Sequence, residues 1–376
     1  MANNIFPDPA WVEIDLRNLD YNFSVFKKMS GAGNTKIMAV VKADAYGHGA
    51  LEISRRALAN GAYALGVARA QEGRHLREKG IGCPIYILGE VSQDEADIAL
   101  GYSLIPSISS LQGARLFNQK ARAASRIVKC HVNIDTGMSR LGINYCRAAS
   151  LLKQIRKMGY LEIEGIFTHF CCASDKESSQ NIKQIQRFEQ IIAEAKSILG
   201  SINIIHSANS AAFLSKFSVK ADMVRLGIGM YGLNPYDQDF TVGLRPLLSL
   251  RARPVLIKKV PRGETVSYCG TYRTKKDSII AIFPIGYADG YSRIFSNRSR
   301  IIIGGEYAPV VGNITMDMFM ADITHIKGIS VDDQATLIGM ANGKTVTAEE
   351  LAKIMGTINY EIVCMIRQRI PRIFIK

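Results

Sequence analysis

A (β/α)8 barrel of the TIM type, followed by a mainly β C-terminal domain, is the α/β fold class that the sequence predicts. Three observations carry it. The chain has 376 residues, more than twice the roughly 150 of a typical domain, so there is room for a barrel and a second unit. Up to residue 243, short β-branched runs alternate with helical patterns, and there are eight such runs. From residue 244 onward the texture changes to short strands separated by Pro, Gly and charged turns. The expected boundaries are therefore residues 12–243 for the barrel and 244–376 for the β-rich domain, with residues 1–11 packing against the latter.

The predicted barrel strands are 37–41, 62–67, 84–88, 103–106, 127–134, 163–168, 203–206 and 222–226. Between them, stretches such as 50–60, 147–158 and 181–199 place apolar residues three and four apart, the spacing of a helix that buries one face. A doubly wound open sheet carries a similar alternation, but eight strands are the number a closed barrel needs. In the second part, strands are expected at 248–255, 278–282, 300–303, 308–311, 318–322 and 335–338, with one helix at 348–355. The early run Ala10-Trp-Val-Glu-Ile-Asp suits pairing with either domain. There is no internal repeat and no low-complexity linker.

Composition narrows the class further. Hydrophobic residues make up 47% and charged residues 21%, near the soluble globular average, which excludes a disordered, collagen-like or coiled-coil chain. No apolar run reaches the roughly 18 residues of a membrane span. The start, Met1-Ala-Asn-Asn-Ile-Phe-Pro-Asp-Pro, lacks a basic region followed by a long apolar stretch. A cytoplasmic location without membrane contact is expected. The formal charge of +14 is concentrated between residues 251 and 300, where 11 basic residues face three acidic ones. With no basic helix and no recognition motif, this reads as solvated basic surface and not as a nucleic-acid site. Seven cysteines without a CxxC pair point to free, reduced thiols and to no structural metal.

In such a barrel, chemistry sits on the loops that follow the C-terminal strand ends. After the first strand comes Lys42-Ala-Asp-Ala-Tyr-Gly-His-Gly; a lysine there is either a solvated strand edge or a group in covalent use. After the fifth comes Asp135-Thr-Gly-Met-Ser-Arg140-Leu-Gly, and after the sixth Thr168-His169-Phe. His169 taken alone reads as a hydrogen-bonded core histidine. The seventh strand ends in His206-Ser207-Ala-Asn209-Ser210, which suits either an anion or plain N-capping. The eighth runs Asp222-Met-Val-Arg225-Leu-Gly227-Ile228-Gly229. Ser207, Gly227 and Ile228 form a candidate phosphate cup, with tight barrel-closing turns as the alternative. A strand-end lysine together with a phosphate cup suggests pyridoxal phosphate.

These residues resemble the alanine racemase family. The run Ala39-Val-Val-Lys42-Ala-Asp-Ala-Tyr46-Gly-His-Gly is similar to its cofactor-attachment motif. The similarity continues through Asp135 to Gly142, His206 to Ser210, Asp222 to Ile228, Ser267-Tyr268, Gly286 to Tyr291, Thr315-Met316-Asp317 and Thr357 to Glu361, nearly end to end. The resemblance implies a pyridoxal 5′-phosphate-dependent isomerase that interconverts L-alanine and D-alanine and supplies D-alanine for peptidoglycan. It implies Lys42 as the covalent cofactor residue and as the base on one face of Cα, with Tyr268 on the other. Racemisation needs a proton removed on one side and delivered on the other, so two such groups are the chemical minimum.

Further roles follow from the same resemblance. Arg225 faces the pyridine nitrogen, a position where most such enzymes place a carboxylate, and His169 supports Arg225 and Tyr268. Tyr46, Ser207, Gly227, Ile228 and Tyr360 hold the phosphate. Arg140 and Met316 contact the substrate carboxylate, Arg140 or else the cofactor's phenolic oxygen, while Tyr287 narrows the entrance. The active form implied is a homodimer in which Tyr268 serves the neighbouring subunit's site. The chain departs from the family at Asn133, where relatives often carry a carbamylated lysine, and this predicts either a chloride beside Asn133 and Arg140 or a looser Arg140. It departs also at Cys269, commonly glycine, at Asn313, often arginine, and at Thr315, often cysteine. The competing readings are a racemase for serine, lysine or several amino acids, and a non-catalytic pyridoxal-phosphate carrier; carriers lack the second domain.

Overall fold

The eight apolar runs form eight parallel strands in the computed structural model, which describes residues 8–30, 35–175, 177–217, 221–235 and 243–376. They are Lys36–Val40, Ala64–Val67, Ile85–Ile87, Ile105–Ile108, Val128–Asp135, Leu161–Phe167, Ile204–His206 and Met223–Leu226. Each pairs with its successor up to the seventh, and the eighth returns to the first in the register Met223 to Lys36. Between the seventh and eighth, Asp222 N donates to Ile205 O at 2.9 Å, and Ile205 N donates to the Asp222 carboxylate at 2.8 Å. A nearly closed barrel results. Strands covered by helices bury both faces, which is why they read as continuous apolar runs and not as an alternation.

Helices follow the strands. Ala50–Ala59 buries Ile53 and Ala57, four residues apart on one face. Tyr145–Arg156 begins two residues earlier than the periodicity indicates, because Asn144 caps it by accepting from Cys146 N at 3.0 Å. Ser110 caps Leu111–Ala123 in the same way through Gly113 N, also at 3.0 Å.

By compactness the chain divides into two units. One is Leu19–Ala45 with Ala50–Leu244, and it holds the barrel. The other joins Arg245–Lys376 to Tyr46–Gly49 and to the described residues of Met1–Asn18. Its main sheet runs in the order Glu306–Pro309, Arg300–Ile303, Ala335–Ala341, Leu248–Ala252, Ala10–Asp15, Arg372–Ile375. The strand Ala10–Asp15 thus pairs antiparallel with Leu248–Ala252 and parallel with Arg372–Ile375; residues 1–7 lie outside the described residues.

A second sheet of Leu256–Val260, Ser278–Phe283 and Phe319–Asp322 packs Val260, Ile280, Ile282 and Met320 with Val266 and Val311. The single run expected at 248–255 is in fact a strand that ends at Ala252, with a new strand starting at Leu256 in the other sheet. Pro254, which has no N–H to give to a ladder, lies at this break. The helix Ala348–Met355 is capped by Thr347 and ended by Gly356 in the left-handed region, φ 75°.

Candidate active site

Lys42 follows the first barrel strand at the start of an unusual turn. Ala43, Asp44 and Ala45 have φ/ψ near 52/51°, 52/47° and 54/49°, and Tyr46 continues at φ 55°. Left-handed helical backbone costs L-residues roughly 1–2 kcal/mol each, so neighbouring groups must hold it. The Glu72 carboxylate does so at one side, accepting from Ala43 N at 2.7 Å and from Ala68 N at 2.7 Å. Asp44 does so at the other, accepting from Ala50 N at 2.7 Å. Lys42 itself, at the start of this turn, is half-buried.

Arg225, on the eighth strand, is 3% exposed. Its Nη1 donates to His206 Nδ1 at 3.0 Å and to His206 O at 3.1 Å. Its Nη2 donates to Thr168 O at 2.8 Å, to His169 Nδ1 at 3.1 Å and to Ser207 O at 3.0 Å. Five acceptors from the sixth and seventh strand ends therefore saturate both terminal nitrogens. Nε–H is the donor left uncommitted among the described residues. Burial, with Arg140 adding like charge, lowers the Arg225 pKa to about 9, which leaves the guanidinium charged at neutral pH.

His169 is held well below the usual imidazole range, first by burial and then by the charges of Arg225, Arg140 and Lys42. Arg140 itself is exposed, on a loop whose turn is tied by Asp135 Oδ1, which accepts from Gly137, Met138 and Ser139 amides at 2.9 to 3.0 Å. Asn133, two residues before Asp135, is buried.

At the ends of the seventh and eighth strands, Ser207 is fully buried; its carbonyl receives Arg225, and its hydroxyl has no partner among the described residues. Asn209 performs the capping, accepting from Ala212 N at 2.9 Å. Ser210, quoted in the motif but given no role, has the better-placed hydroxyl: it accepts from Gly227 N at 2.9 Å and from Gly229 N at 3.3 Å. A Cβ on Gly229 would stand 2.9 Å from the Phe26 ring, so this close approach of backbone to serine requires glycine. Three residues escaped the sequence reading altogether: His131, Glu164 and Tyr86, which extend the Arg225 network by way of His206. Their signal was polarity within buried strands.

The second unit carries the remaining residues. The Tyr46 and Tyr360 rings lie 6.1 Å apart, and burial raises the Tyr46 pKa. Tyr268 is 71% exposed, at a turn in which Ser267 and Cys269 have φ of 66° and 63°. Asn313 braces that turn: its Nδ2 donates to Tyr268 O at 2.8 Å, and its carbonyl accepts from Ser267 Oγ at 2.6 Å. Tyr287 N donates to Thr315 O and Ala288 N to Met316 O, both at 3.0 Å, beside Gly286, where a Cβ would stand 2.2 Å from Met316 O. Tyr287 and Met316 are themselves exposed.

The family description "Alanine racemase, N-terminal domain" matches residues 14–235, and "Alanine racemase, C-terminal domain" matches residues 247–374. An alanine racemase of Halothermothrix orenii is 40% identical over 97% of this chain and 96% of its own. The solved alanine racemase of Clostridium difficile 630 superposes with a TM-score of 0.93 at 35% identity, covering 98% of this chain and 96% of that one. The alanine racemase of Bartonella henselae, solved with covalently bound pyridoxal phosphate, superposes at 0.87 with 27% identity, over 98% and 100% of the two chains.

Proposed function

The chain belongs to the alanine racemase family, and from that premise we propose that it interconverts L-alanine and D-alanine with pyridoxal 5′-phosphate, using Lys42 and Tyr268 as its two proton carriers. The observation that carries the reading is Arg225, buried at the barrel's strand ends with both terminal nitrogens held by five acceptors, in a barrel whose first and fifth strands are followed by Lys42 and Arg140. The described residues around Arg225 supply acceptors already saturated by it. Such a surplus suits a multiply anionic ligand. The Ser210 hydroxyl on the Gly227 and Gly229 amides, the orphaned Ser207 hydroxyl and the uncommitted Arg225 Nε–H fit a phosphate and a ring nitrogen.

When bound, the cofactor supplies the electron sink that makes the Cα proton removable. Lys42 would hold it covalently and carry the proton on one face; Tyr268 would do so on the other. Arg225, a fixed cation, would disfavour protonation of the ring nitrogen and so limit side reactions. Tyr46, Tyr360, Ser207, Gly227 and Ile228 would bind phosphate, together with Ser210. Arg140 and the Met316 amide would orient the substrate carboxylate, and Tyr287 would restrict the entrance.

A homodimer with shared sites fits the surface of the second unit. Tyr268, Met316, Met318, Leu256 and Tyr287 are all exposed there. Tyr268, Met318 and Leu256 line one cavity of about 690 Å³, and apolar surface gathered in this way marks an interaction face. Seven free cysteines, and no described helix apolar enough to cross a membrane, fit work in the cytoplasm on D-alanine for peptidoglycan.

The test is one assay of the protein with pyridoxal phosphate and L-alanine in D2O, read by chiral chromatography and mass. D-alanine carrying deuterium at Cα is expected. Bound cofactor with neither product nor exchange would sink the reading, and a panel of other amino acids would then be tried.

A further inference from the structure

The inside of a (β/α)8 barrel is normally filled with branched apolar side chains. Here polar ones from five strands meet. Beyond the Arg225 to His206 bond, His206 Nε2 lies 2.8 Å from His131 Nδ1, and His131 Nε2 lies 3.2 Å from Glu164 Oε2. Glu164 also accepts from Tyr86 Oη at 3.1 Å and from Lys129 Nζ at 2.9 Å. Tyr86 is on the third strand and Glu164 on the sixth, so their contact crosses the interior. His206 and His131 are 0% and 1% exposed, whereas the Lys129 side chain is 51% exposed. The line of bonds therefore runs from the strand ends that carry Arg225 to the opposite mouth.

We propose that His131 and Glu164 are positioning residues for this active site: with His206 they form a one-directional hydrogen-bond relay that anchors Arg225 and keeps the imidazole beside it neutral. This role in turnover rests on the reading of the preceding subsection; the relay itself does not.

Its direction is forced by chemistry. A guanidinium only donates, and a carboxylate only accepts. His206 must therefore offer its Nδ1 lone pair to Arg225 and carry its proton on Nε2. That proton points at His131 Nδ1, which must accept, so His131 also carries its proton on Nε2 and gives it to Glu164. Reversing either ring sets donor against donor. Protonating either does the same. The Tyr86 ring, 4.5 Å from the His131 ring centroid, and the stacked Phe167 ring, 4.7 Å from that of His206, hold both imidazoles in place. Burial, with Arg225 next, depresses the His206 pKa, and burial depresses that of His131 despite Glu164. Glu164 is brought down to about 2, chiefly by its bond to His131. Along the bonds, the carboxylate's charge polarises the two imidazoles toward Arg225. Arg225 thus gains an acceptor that cannot take its proton.

The experiment is ¹⁵N and ¹H NMR of the full chain labelled at histidine, first free of cofactor and then loaded with pyridoxal phosphate. At pH 7, both His131 and His206 are expected as neutral Nε2–H tautomers, with ring protons slow to exchange. In His131→Phe the His206 Nε2–H loses its acceptor, so its ring proton should exchange faster, the visible absorbance of bound cofactor should shift, and kcat should fall about tenfold with little change in KM. Glu164→Gln keeps an acceptor without its charge, and should move the His206 ring-proton resonance upfield; it serves if the phenylalanine variant does not fold. A wild-type His206 that is protonated, or that carries its proton on Nδ1, overturns the relay. So does a folded variant in which ring-proton exchange, absorbance and kcat all match wild type. Because the tautomers are read without cofactor, a protein that fails to racemise alanine would still answer this question.

Discussion

Arg225 and Tyr268 are held in opposite ways. Arg225 is 3% exposed, and five acceptors fix its terminal nitrogens. Tyr268 is 71% exposed, and the bonds that hold it in the described chain are to its backbone, in a turn with two non-glycine residues at positive φ. A buried cation has to be saturated where it sits, since each unmade hydrogen bond in the interior costs about 1–3 kcal/mol. A phenol proposed to serve a partner subunit's site needs only its backbone held firmly. Arg225 is fixed at its side chain; Tyr268 is fixed at its backbone.

The largest effect should come from the barrel side. Lys42→Ala should lower turnover by about 10⁴-fold or more and remove the visible absorbance of covalent cofactor, and that absorbance surviving in the variant would refute the assignment. Next, the comparison itself can be broken by stability. Arg225→Met orphans several carbonyls and two imidazoles and should cost about 3 kcal/mol or more in denaturant unfolding. Tyr268→Phe should stay within about 0.5 kcal/mol, yet lose about 10²-fold in proton exchange, unequally for the two enantiomers. Equal stability losses from the two substitutions would mean that Tyr268 is as integrated as Arg225.

The buried side also has a pH signature. His169 and His206 have folded pKa values below the unfolded value near 6.5. As pH falls below about 6.5 the unfolded chain binds more protons than the folded one, so stability should be full above that pH and decline beneath it. His169→Asn should remove up to one proton of this uptake, read as a shallower fall in the urea midpoint from pH 7 to 5. An unchanged slope would place the titration elsewhere.

The barrel was legible because its strands are buried on both faces and bracketed by helical periodicity. The cations at the strand ends were legible because chemistry collects there. His131 and Glu164 were not: an inward-facing polar residue within the runs 127–134 and 163–168 is indistinguishable from an outward-facing one until the strands curl into a barrel. Ser210 was overlooked because Ser207 lies nearer the strand end, and only the fold brings the Gly227 and Gly229 amides to one hydroxyl and not the other. The strand pairing of Ala10–Asp15 needed partners more than 200 residues away, which no local pattern encodes. The left-handed turn at 43–46 was hidden for a similar reason: alanine and aspartate do not announce it, and Glu72 supplies the hold from another helix.

Smaller changes sharpen the exposed side. Cys269 has φ 63° where a glycine would rest without strain, so Cys269→Gly should stabilise the second unit by about 0.5–1 kcal/mol. Asn313→Ala should cost about 1 kcal/mol by releasing the Tyr268 carbonyl. The two sites share one turn, so the double variant should not equal the sum of the singles. Additivity within error would show that Asn313 does not offset the strain at Cys269.

The smallest expected effect lies at Arg140, the exposed one among Lys42, Arg140 and Arg225. A negative group two residues before Asp135 would orient it, and Asn133 supplies none. A chloride between Asn133 and Arg140 would do the same work, but an ion at a partly exposed arginine is worth only about 0.2–1 kcal/mol. Replacing sulfate by chloride at constant ionic strength should therefore lower KM for alanine by no more than about fivefold, with kcat nearly fixed. Asn133→Asp should make that response disappear, because the carboxylate takes the ion's place. A chloride response of the same size in Asn133→Asp would put the anion at some other cation, and no response in wild type would leave Arg140 to be oriented by the substrate alone.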